Sequence, residues 1–436
     1  MRIILFTAYN LFFVPLFYIT VQIAGLFNAK IRRGLKGRKR LFTYLRTYIQ
    51  ALPGKGPRVW MHISSMGEYE QGLPVIRALR QRIPKSEVVI TFFSPSGYEN
   101  VTIREDANVM ISYIPLDSYW HARKFIDIVG PDAAMVVRHD IWPNHQWRLQ
   151  ARGIPSMLID ASIPDQRRVT YRIFQIFFRQ IFKTFSRVCT VSQQSAERLK
   201  RVYPAQDRLH VCGDTRYDQV LRRVSETGKI DHLLKSRYFG RRKCLVAGST
   251  WPSDERVILD PIADLAAHDT EFIAIVAPHE PTAEHLDAIE SHFRAREIPL
   301  ARLSGLRGVR TWSFRILLID RIGLLANLYA LGSAAFVGGG FGPGVHNVLE
   351  PAAHGCAVMF GPNHLNSVEA QQMVERGGAQ VITNPAAAGV VLNGVFFDAE
   401  EAAKRGENAR AMVLENQGSS ERIVDILESV LWKGGG

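Results

Sequence analysis

The sequence predicts an α/β protein of two Rossmann-like domains behind an N-terminal membrane-anchor helix. Three observations carry this. An uncharged apolar opening leads into a dense basic run, short apolar runs alternate with helix-like stretches, and one strand-turn-helix opening occurs twice. The 436 residues are too many for one ordinary core, and two domains plus extra segments account for them. Hydrophobic residues make up 47% and charged residues 22%, which excludes a disordered chain. The expected division is 1–40 for the anchor and its basic flank, 41–213 for the first domain, 214–242 for a polar connection rich in Lys and Arg, and 243–436 for the second domain.

Residues 3–29 contain no charge, and about 20 apolar residues span a bilayer as a helix. Lys30, Arg32, Arg33, Lys36, Arg38, Lys39 and Arg40 follow, seven basic residues in eleven positions. Such a run marks the cytoplasmic flank of an inner-membrane protein and attracts anionic lipid. A secretory signal peptide needs its positive charge ahead of the apolar run, where only Arg2 stands. Pro15 and the scattered polar residues leave both a spanning and an interfacial helix open. The excess of 54 basic over 41 acidic residues, a formal +13, points to a polyanionic partner. Nucleic acid is not the expected one, because the basic residues cluster beside the anchor and no nucleic-acid module signature occurs. Cys189, Cys212, Cys244 and Cys356 show no C-x-x-C spacing and read as reduced core residues.

Strands are expected at 59–63, 88–93, 133–137, 157–159 and 187–191, with helices at 73–82 and 121–128 between them. A second series is expected at 244–247, 272–276, 316–318, 334–337, 357–360 and 380–382. Each half opens alike. One strand runs into Ser64-Ser65-Met66-Gly67-Glu68, the other into Ser249-Thr250-Trp251-Pro252-Ser253-Asp254-Glu255. Small residues there let backbone amides face a ligand at a helix start. Ligands are expected at the carboxyl ends of the strands, in a cleft between the domains.

The strongest local signal is Gly338-Gly339-Gly340-Phe341-Gly342-Pro343-Gly344, followed by Val345-His346-Asn347-Val348-Leu349-Glu350-Pro351. Its glycines permit close backbone approach, so amides at Gly339, Gly340 and Gly344 are candidates to cradle a phosphate. Asn347 and Glu350 share a helix face, and the carboxylate suits two ribose hydroxyls. The structural alternative is a turn with Asn347 as a helix cap. In the first half, Glu68 is the candidate general base, with Ser65 and Gly67 on the acceptor side. Ser65-Met66-Gly67-Glu68 also fits the S-x-x-E capping box, and the two roles are compatible. Residues 167–187 interleave Arg167, Arg168, Arg172, Arg179, Lys183 and Arg187 with aromatic residues. Arg168 and Arg172 are candidate contacts to a phosphorylated lipid, while the Phe residues are expected in the core. No Asp-x-Asp and no His spacing suited to metal ligation occurs, so no metal and no cofactor are expected. His62 and His279 taken singly read as structural histidines.

Taken in order, these motifs resemble the 3-deoxy-D-manno-octulosonic acid (Kdo) transferase family. The resemblance runs from about residue 1 to about residue 425. It is carried by His62-Ile-Ser-Ser-Met-Gly-Glu68, Phe93-Ser-Pro-Ser-Gly97, Ile114-Pro-Leu-Asp117 and Ile141-Trp-Pro-Asn144. Val211-Cys-Gly-Asp-Thr-Arg-Tyr-Asp218, Gly248-Ser-Thr250, Gly344-Val-His-Asn-Val-Leu-Glu-Pro351 and Gly361-Pro362 continue it. It implies the GT-B architecture and a metal-free, inverting transfer of Kdo from CMP-Kdo to a lipid A precursor in lipopolysaccharide synthesis. It maps the base onto Glu68 and the donor contacts onto Ser249, Thr250, Gly344, Asn347 and Glu350. The family's usual Glu-x-Glu-Leu-Trp-Pro-Asn is here Arg138-His139-Asp140-Ile141-Trp142-Pro143-Asn144, with loss of acidic charge. Its Pro-Arg-His is here Pro278-His279-Glu280, where a protonated His279 takes the place of the arginine as a donor contact. Arg216 stands where the family usually has Lys. Three other readings stay open: a related enzyme using a UDP-sugar, an epimerase-like enzyme of the same architecture, and a non-catalytic membrane-bound nucleotide- or lipid-binding protein.

Overall fold

The structure, a computed structural model, describes residues 2–101, 106–162, 177–201, 203, 205–226, 230, 233, 238–239, 242–306 and 312–432. The chain forms two compact units, one of residues 1–219 with 417–436, the other of residues 220–416.

The first unit is built on a seven-stranded parallel sheet: β1 (Arg58–Ile63), β2 (Glu87–Phe92), β3 (Val109–Tyr113), β4 (Ala133–Val137), β5 (Ser156–Ala161), β6 (Arg187–Thr190) and β7 (Leu209–Val211). Their order is β3-β2-β1-β4-β5-β6-β7. Every residue of β2 to β5 is buried, as expected where helices cover both faces of a parallel sheet. The chain reverses direction of winding between β1 and β4. That is the switch point at which the carboxyl ends of such a sheet open a crevice. The second unit repeats the plan with β8 (Lys243–Thr250), β9 (Phe272–Pro278), β10 (Leu300–Arg302), β11 (Ile316–Leu318), β12 (Ala334–Val337), β13 (Ala357–Phe360) and β14 (Ala379–Val381). Its order, β10-β11-β9-β8-β12-β13-β14, places the switch point between β8 and β12. The sequence-predicted strands are all present. β3, β7 and β10 were not predicted: the last two have three residues each and are only partly buried, too little for a pattern.

The second domain does not run to the chain's end, as expected from 243–436; residues 417–436 return to the first unit. Ile423, Val424 and Leu427 of helix Ser419–Leu431 enter the core beside Leu73, Val137 and Cys189. Asp218 clasps the helix start, accepting from the Gly418 amide at 2.6 Å and the Ser420 amide at 2.7 Å. The Arg422 guanidinium donates to the Cys212 carbonyl at 2.7 Å. The expected connection 214–242 likewise divides, with helix Thr215–Ser225 crossing the boundary after Gln219. All four cysteines are free and buried.

Residues 3–27 form one helix, long and apolar enough to cross a membrane by length and composition. A π-helical turn interrupts it at Tyr9–Phe13. One side docks on the first unit. Tyr9 donates to Asp117 at 2.9 Å, Asn10 and Asn144 pair their amides at 2.9 and 3.0 Å, and the Tyr18 hydroxyl lies 2.7 Å from His121 Nδ1. The other side leaves Ile3, Leu11, Phe12, Leu16, Ile19, Ile23, Leu26 and Phe27 more than half exposed. Within the basic flank, Arg38 is not available to headgroups. It donates to the Ile114, Phe93 and Gly34 carbonyls and lies over the Phe93 and Tyr113 rings. Burial pulls its pKa down to about 10. Phe182 and Phe185 are in the core beside Val136 and Leu158, as the sequence predicts. Arg168 and Arg172 lie outside the described residues.

Candidate active site

In the first unit the site forms at the switch point, where β1 and β4 end. β1 passes through Ser64 and Ser65 into helix Met66–Arg82, whose first turn carries Glu68. One carboxylate oxygen, Oε2, accepts from the Ser64 amide at 2.7 Å and the Ser65 amide at 3.0 Å. The capping-box geometry is therefore present. Oε1 makes no hydrogen bond among the described residues, and Glu68 retains 8% exposure. The carboxylate is thus fixed by one oxygen and open at the other. A Cβ added to Gly67 would meet only Ser65 Oγ, at 4.0 Å. Space lies in front of that turn.

Asp140, at the end of β4, stands beside this turn. Trp60 Nε1 donates to Thr91 Oγ1 at 2.8 Å, Thr91 Oγ1 lies 3.0 Å from His62 Nδ1, and His62 Nε2 lies 2.9 Å from Asp140 Oδ2. The Trp142 indole adds a 3.3 Å contact to the same oxygen. Burial by itself would raise the Asp140 pKa. The hydrogen bond and charge of His62, with Ser64 and Trp142, outweigh it and hold the group below the usual carboxylate range. So the departure at 138–140 removes only one of two acidic positions. Arg138 itself sits at φ 63°, a left-handed backbone unusual for a residue with a side chain.

In the second unit, β8 and β12 end side by side. Ser249 takes φ 55°, and a Cβ on Gly338 would collide with the Ser249 carbonyl. The two backbones cross too closely for any residue but glycine. Thr250 is fully buried and donates to Glu255 at 2.8 Å, so its hydroxyl supports the turn and is not offered to a ligand. The glycine-rich loop is not an open cradle either. Asp254 accepts from the Gly339 amide at 2.8 Å, the Phe341 amide at 3.1 Å and the Trp251 amide at 2.9 Å. The Gly342 and Gly344 amides donate to the Gly339 carbonyl, and Gly340 packs backbone to backbone on Gly361. The expectation that Gly339 and Gly344 grip phosphate through their amides is corrected: those donors hold the loop closed on itself. The Asn347 and Val348 amides donate to no group among the described residues. Asn347 Oδ1 accepts from the Leu349 amide at 3.1 Å, but the N-cap position is Val348, so Asn347 supports the turn one residue ahead of the cap. Glu350 pairs with Arg223 at 2.8 Å.

His279 is exposed and stacks over the near-coplanar pair of Trp251 and His346, with centroids 4.7 Å from Trp251 and 4.5 Å from His346. Trp251 Nε1 donates to His346 Nε2 at 2.8 Å. Burial, then the neighbouring His279, lowers the His346 pKa. Asp254, Trp251, His346 and Asp140 stand inside motifs legible in the sequence, but their own roles were not. Arg223 stands outside every motif and carries no local signal.

The chain thus presents two parallel α/β units, each with polar side chains gathered at its switch point. Solved structures share the fold: the UDP-GlcNAc 2-epimerase of Neisseria meningitidis (16% identical, 85% of this chain and 100% of that one, TM-score 0.59) and a glycosyltransferase of Rickettsia africae (11% identical, 86% and 99%, TM-score 0.55). Residues 36–219 match the family described as 3-deoxy-D-manno-octulosonic-acid transferase (kdotransferase). The transferase of that name from Haemophilus influenzae is 26% identical over 86% of this chain and 87% of its own. That of Aquifex aeolicus is 24% identical over 74% and 80%. The matched family and these relatives together support the 3-deoxy-D-manno-octulosonic acid transferase family for this chain.

Proposed function

We propose that this protein transfers Kdo from CMP-Kdo to a lipid A precursor, with inversion and without a metal ion, at the cytoplasmic face of the inner membrane. The observation that carries the reading is Glu68, anchored through Oε2 by two amides and open at Oε1. The family's transferases, named for Kdo, supply the donor sugar class.

An acceptor hydroxyl placed against Glu68 Oε1 gives up its proton as its oxygen attacks the anomeric carbon. The bond from that carbon to the phosphate oxygen breaks and CMP leaves with the electron pair. A single displacement from the face opposite the leaving group inverts the centre. A positioned base of this kind contributes about 10²–10⁴-fold. On the donor side, the Asn347 and Val348 amides suit the phosphate, and Glu350, oriented by Arg223, suits the ribose. Ser249, at φ 55° at the end of β8, and Gly344, at φ 125° in the loop after β12, complete the proposed donor contacts, Gly344 by close backbone approach and not through its amide. His279 supplies positive charge when protonated.

The docked N-terminal helix supports an interfacial helix over a spanning one. Its Tyr9, Asn10 and Tyr18 are hydrogen-bonded to a folded polar unit, which cannot enter the bilayer core with them. Incubation with CMP-Kdo and lipid A precursor, read by mass, tests the reading. The expected result is a product heavier by one or more Kdo units, formed equally in EDTA. Transfer from UDP-sugars but not from CMP-Kdo overturns it.

A further inference from the structure

We propose that the cavity between the N-terminal helix and the turn after β4 seats one acyl chain of the acceptor, an inference that rests on the lipid-acceptor reading above. The cavity holds about 580 Å³, inside the roughly 300–1,000 Å³ range of small-molecule sites. Its walls are Tyr9 and Phe13 from the helix, Ile141 and Trp142 from the turn, and Phe177 and Phe178. Tyr9 stacks on Phe13 and Phe177 with centroids 5.0 and 5.9 Å apart, which gives a stiff aromatic lining.

The lining is of two kinds, and that difference selects the occupant. Its carboxylate is Asp140, which lies 2.9 Å from His62 Nε2 near the end of β1. β1 runs directly on into the Ser64–Glu68 turn, where the Ser64 amide holds Glu68. The polar part of the lining is thus tied to the strand that carries the candidate base. Phe12 and Phe13, also in the lining, are 68% and 50% exposed, and they belong to the same apolar face as Leu11, Leu16 and Ile19. An amphiphile fits in one direction only. Its sugar headgroup lies at Asp140 and Glu68, one chain fills the cavity, and the remaining hydrocarbon stays in the bilayer. The base of a nucleotide-sugar can stack on such rings, but its phosphate would then lie against the Asp140 carboxylate, which repels it; a bulk lipid has no reason to present its headgroup to Glu68.

The test is photocrosslinking in the full-length protein, using a diglucosamine acceptor with a terminal diazirine on one acyl chain. Adducts are mapped by peptide mass. The expected result is adducts concentrated on Phe12, Phe13, Ile141, Phe177 or Phe178 and competed by unlabelled acceptor. Ala8 lines the cavity and is exposed, so Ala8→Trp fills the space without disturbing the core. It should lower the competed adducts at least tenfold. Competed adducts confined to Ile19, Ile23 and Leu26, or an unchanged yield in Ala8→Trp, overturn the proposal. So does the absence of adducts in a preparation that glycosylates the acceptor. A wild-type protein that transfers no sugar to any acylated acceptor overturns the lipid-acceptor reading, and this proposal with it.

Discussion

The Asp254 carboxylate holds the Gly339 amide at 2.8 Å, and with the Phe341 and Trp251 amides it locks the loop after β12 to the start of the helix after β8. Asp254 is fully buried. Asp254→Ala therefore strands three donors, each worth about 1–3 kcal/mol when left unpaired in the interior. The expected loss is about 3 kcal/mol, because water reaches part of the loop. Asp254→Asn, which keeps one acceptor oxygen, should lose less. Both should weaken nucleotide binding. Denaturant melts and calorimetric titration with CMP check this, and an unchanged Asp254→Ala melt contradicts it.

Glu68 serves as cap and as proposed base, and two substitutions separate these roles. In Glu68→Gln a side-chain oxygen still accepts from the Ser64 and Ser65 amides, so stability should hold to within about 0.5 kcal/mol. Transfer should fall by about 10²–10⁴-fold, since an amide cannot take the proton. Glu68→Ala should lose activity to the same extent and about 1 kcal/mol of stability as well, with the cap gone. Near-normal turnover in Glu68→Gln would leave the carboxylate a cap alone.

The N-terminal helix has one side hydrogen-bonded to the protein and one apolar, exposed side proposed to meet the membrane, and they should respond independently. Tyr9→Phe removes a hydrogen bond to buried Asp117. A bond to a charged group is worth about 1.5–3 kcal/mol, and the Asn144 amide at 3.0 Å keeps Asp117 partly satisfied. The melting temperature should drop by a few degrees while membrane recovery stays unchanged. Ile19→Asp with Ile23→Asp should do the reverse, releasing protein into the supernatant with little change in melting. Fractionation and melting of both variants measure the pair of effects.

Much of this architecture was legible because parallel strands buried on both faces read as unbroken apolar runs, such as 133–137 and 272–276. The turn at Ser65 to Glu68 was legible because capping is local chemistry. What escaped lies in partnerships between distant residues. Asp218 looks like part of a polar linker, yet it caps a helix 200 residues further on. Glu350 finds Arg223 from 127 residues away. Asp254 reads as an ordinary acidic first-turn residue, and nothing in its neighbours says that it closes a glycine loop. The loop's glycines were correctly read as places of close backbone approach. The approach is to Ser249 and Gly361, and the Gly338, Gly339, Gly342 and Gly344 amides are spent inside the protein.

The stack of Trp251, His279 and His346 should make donor binding sensitive to acid. Trp251 Nε1 donates to His346 Nε2, so that nitrogen must be unprotonated. Burial first, and the proximity of His279 second, lower the His346 pKa below its ordinary 6.5, while Asp254 works in the opposite direction. The folded protein therefore binds fewer protons at this site than the unfolded chain. The stabilisation is complete above 6.5 and is lost as pH falls through the lower folded value. Wild-type affinity for CMP should be flat above pH 7 and should weaken by up to about tenfold per pH unit once His346 titrates. His346→Gln can still accept from the indole through its side-chain oxygen and carries no titrating ring. Its affinity should show a shallower acid-side decline, with any remaining slope assigned to the phosphate. Calorimetric titrations of both proteins from pH 5 to 8 make the comparison. Identical slopes would mean that the tryptophan-histidine bond does not set the shape of the donor site.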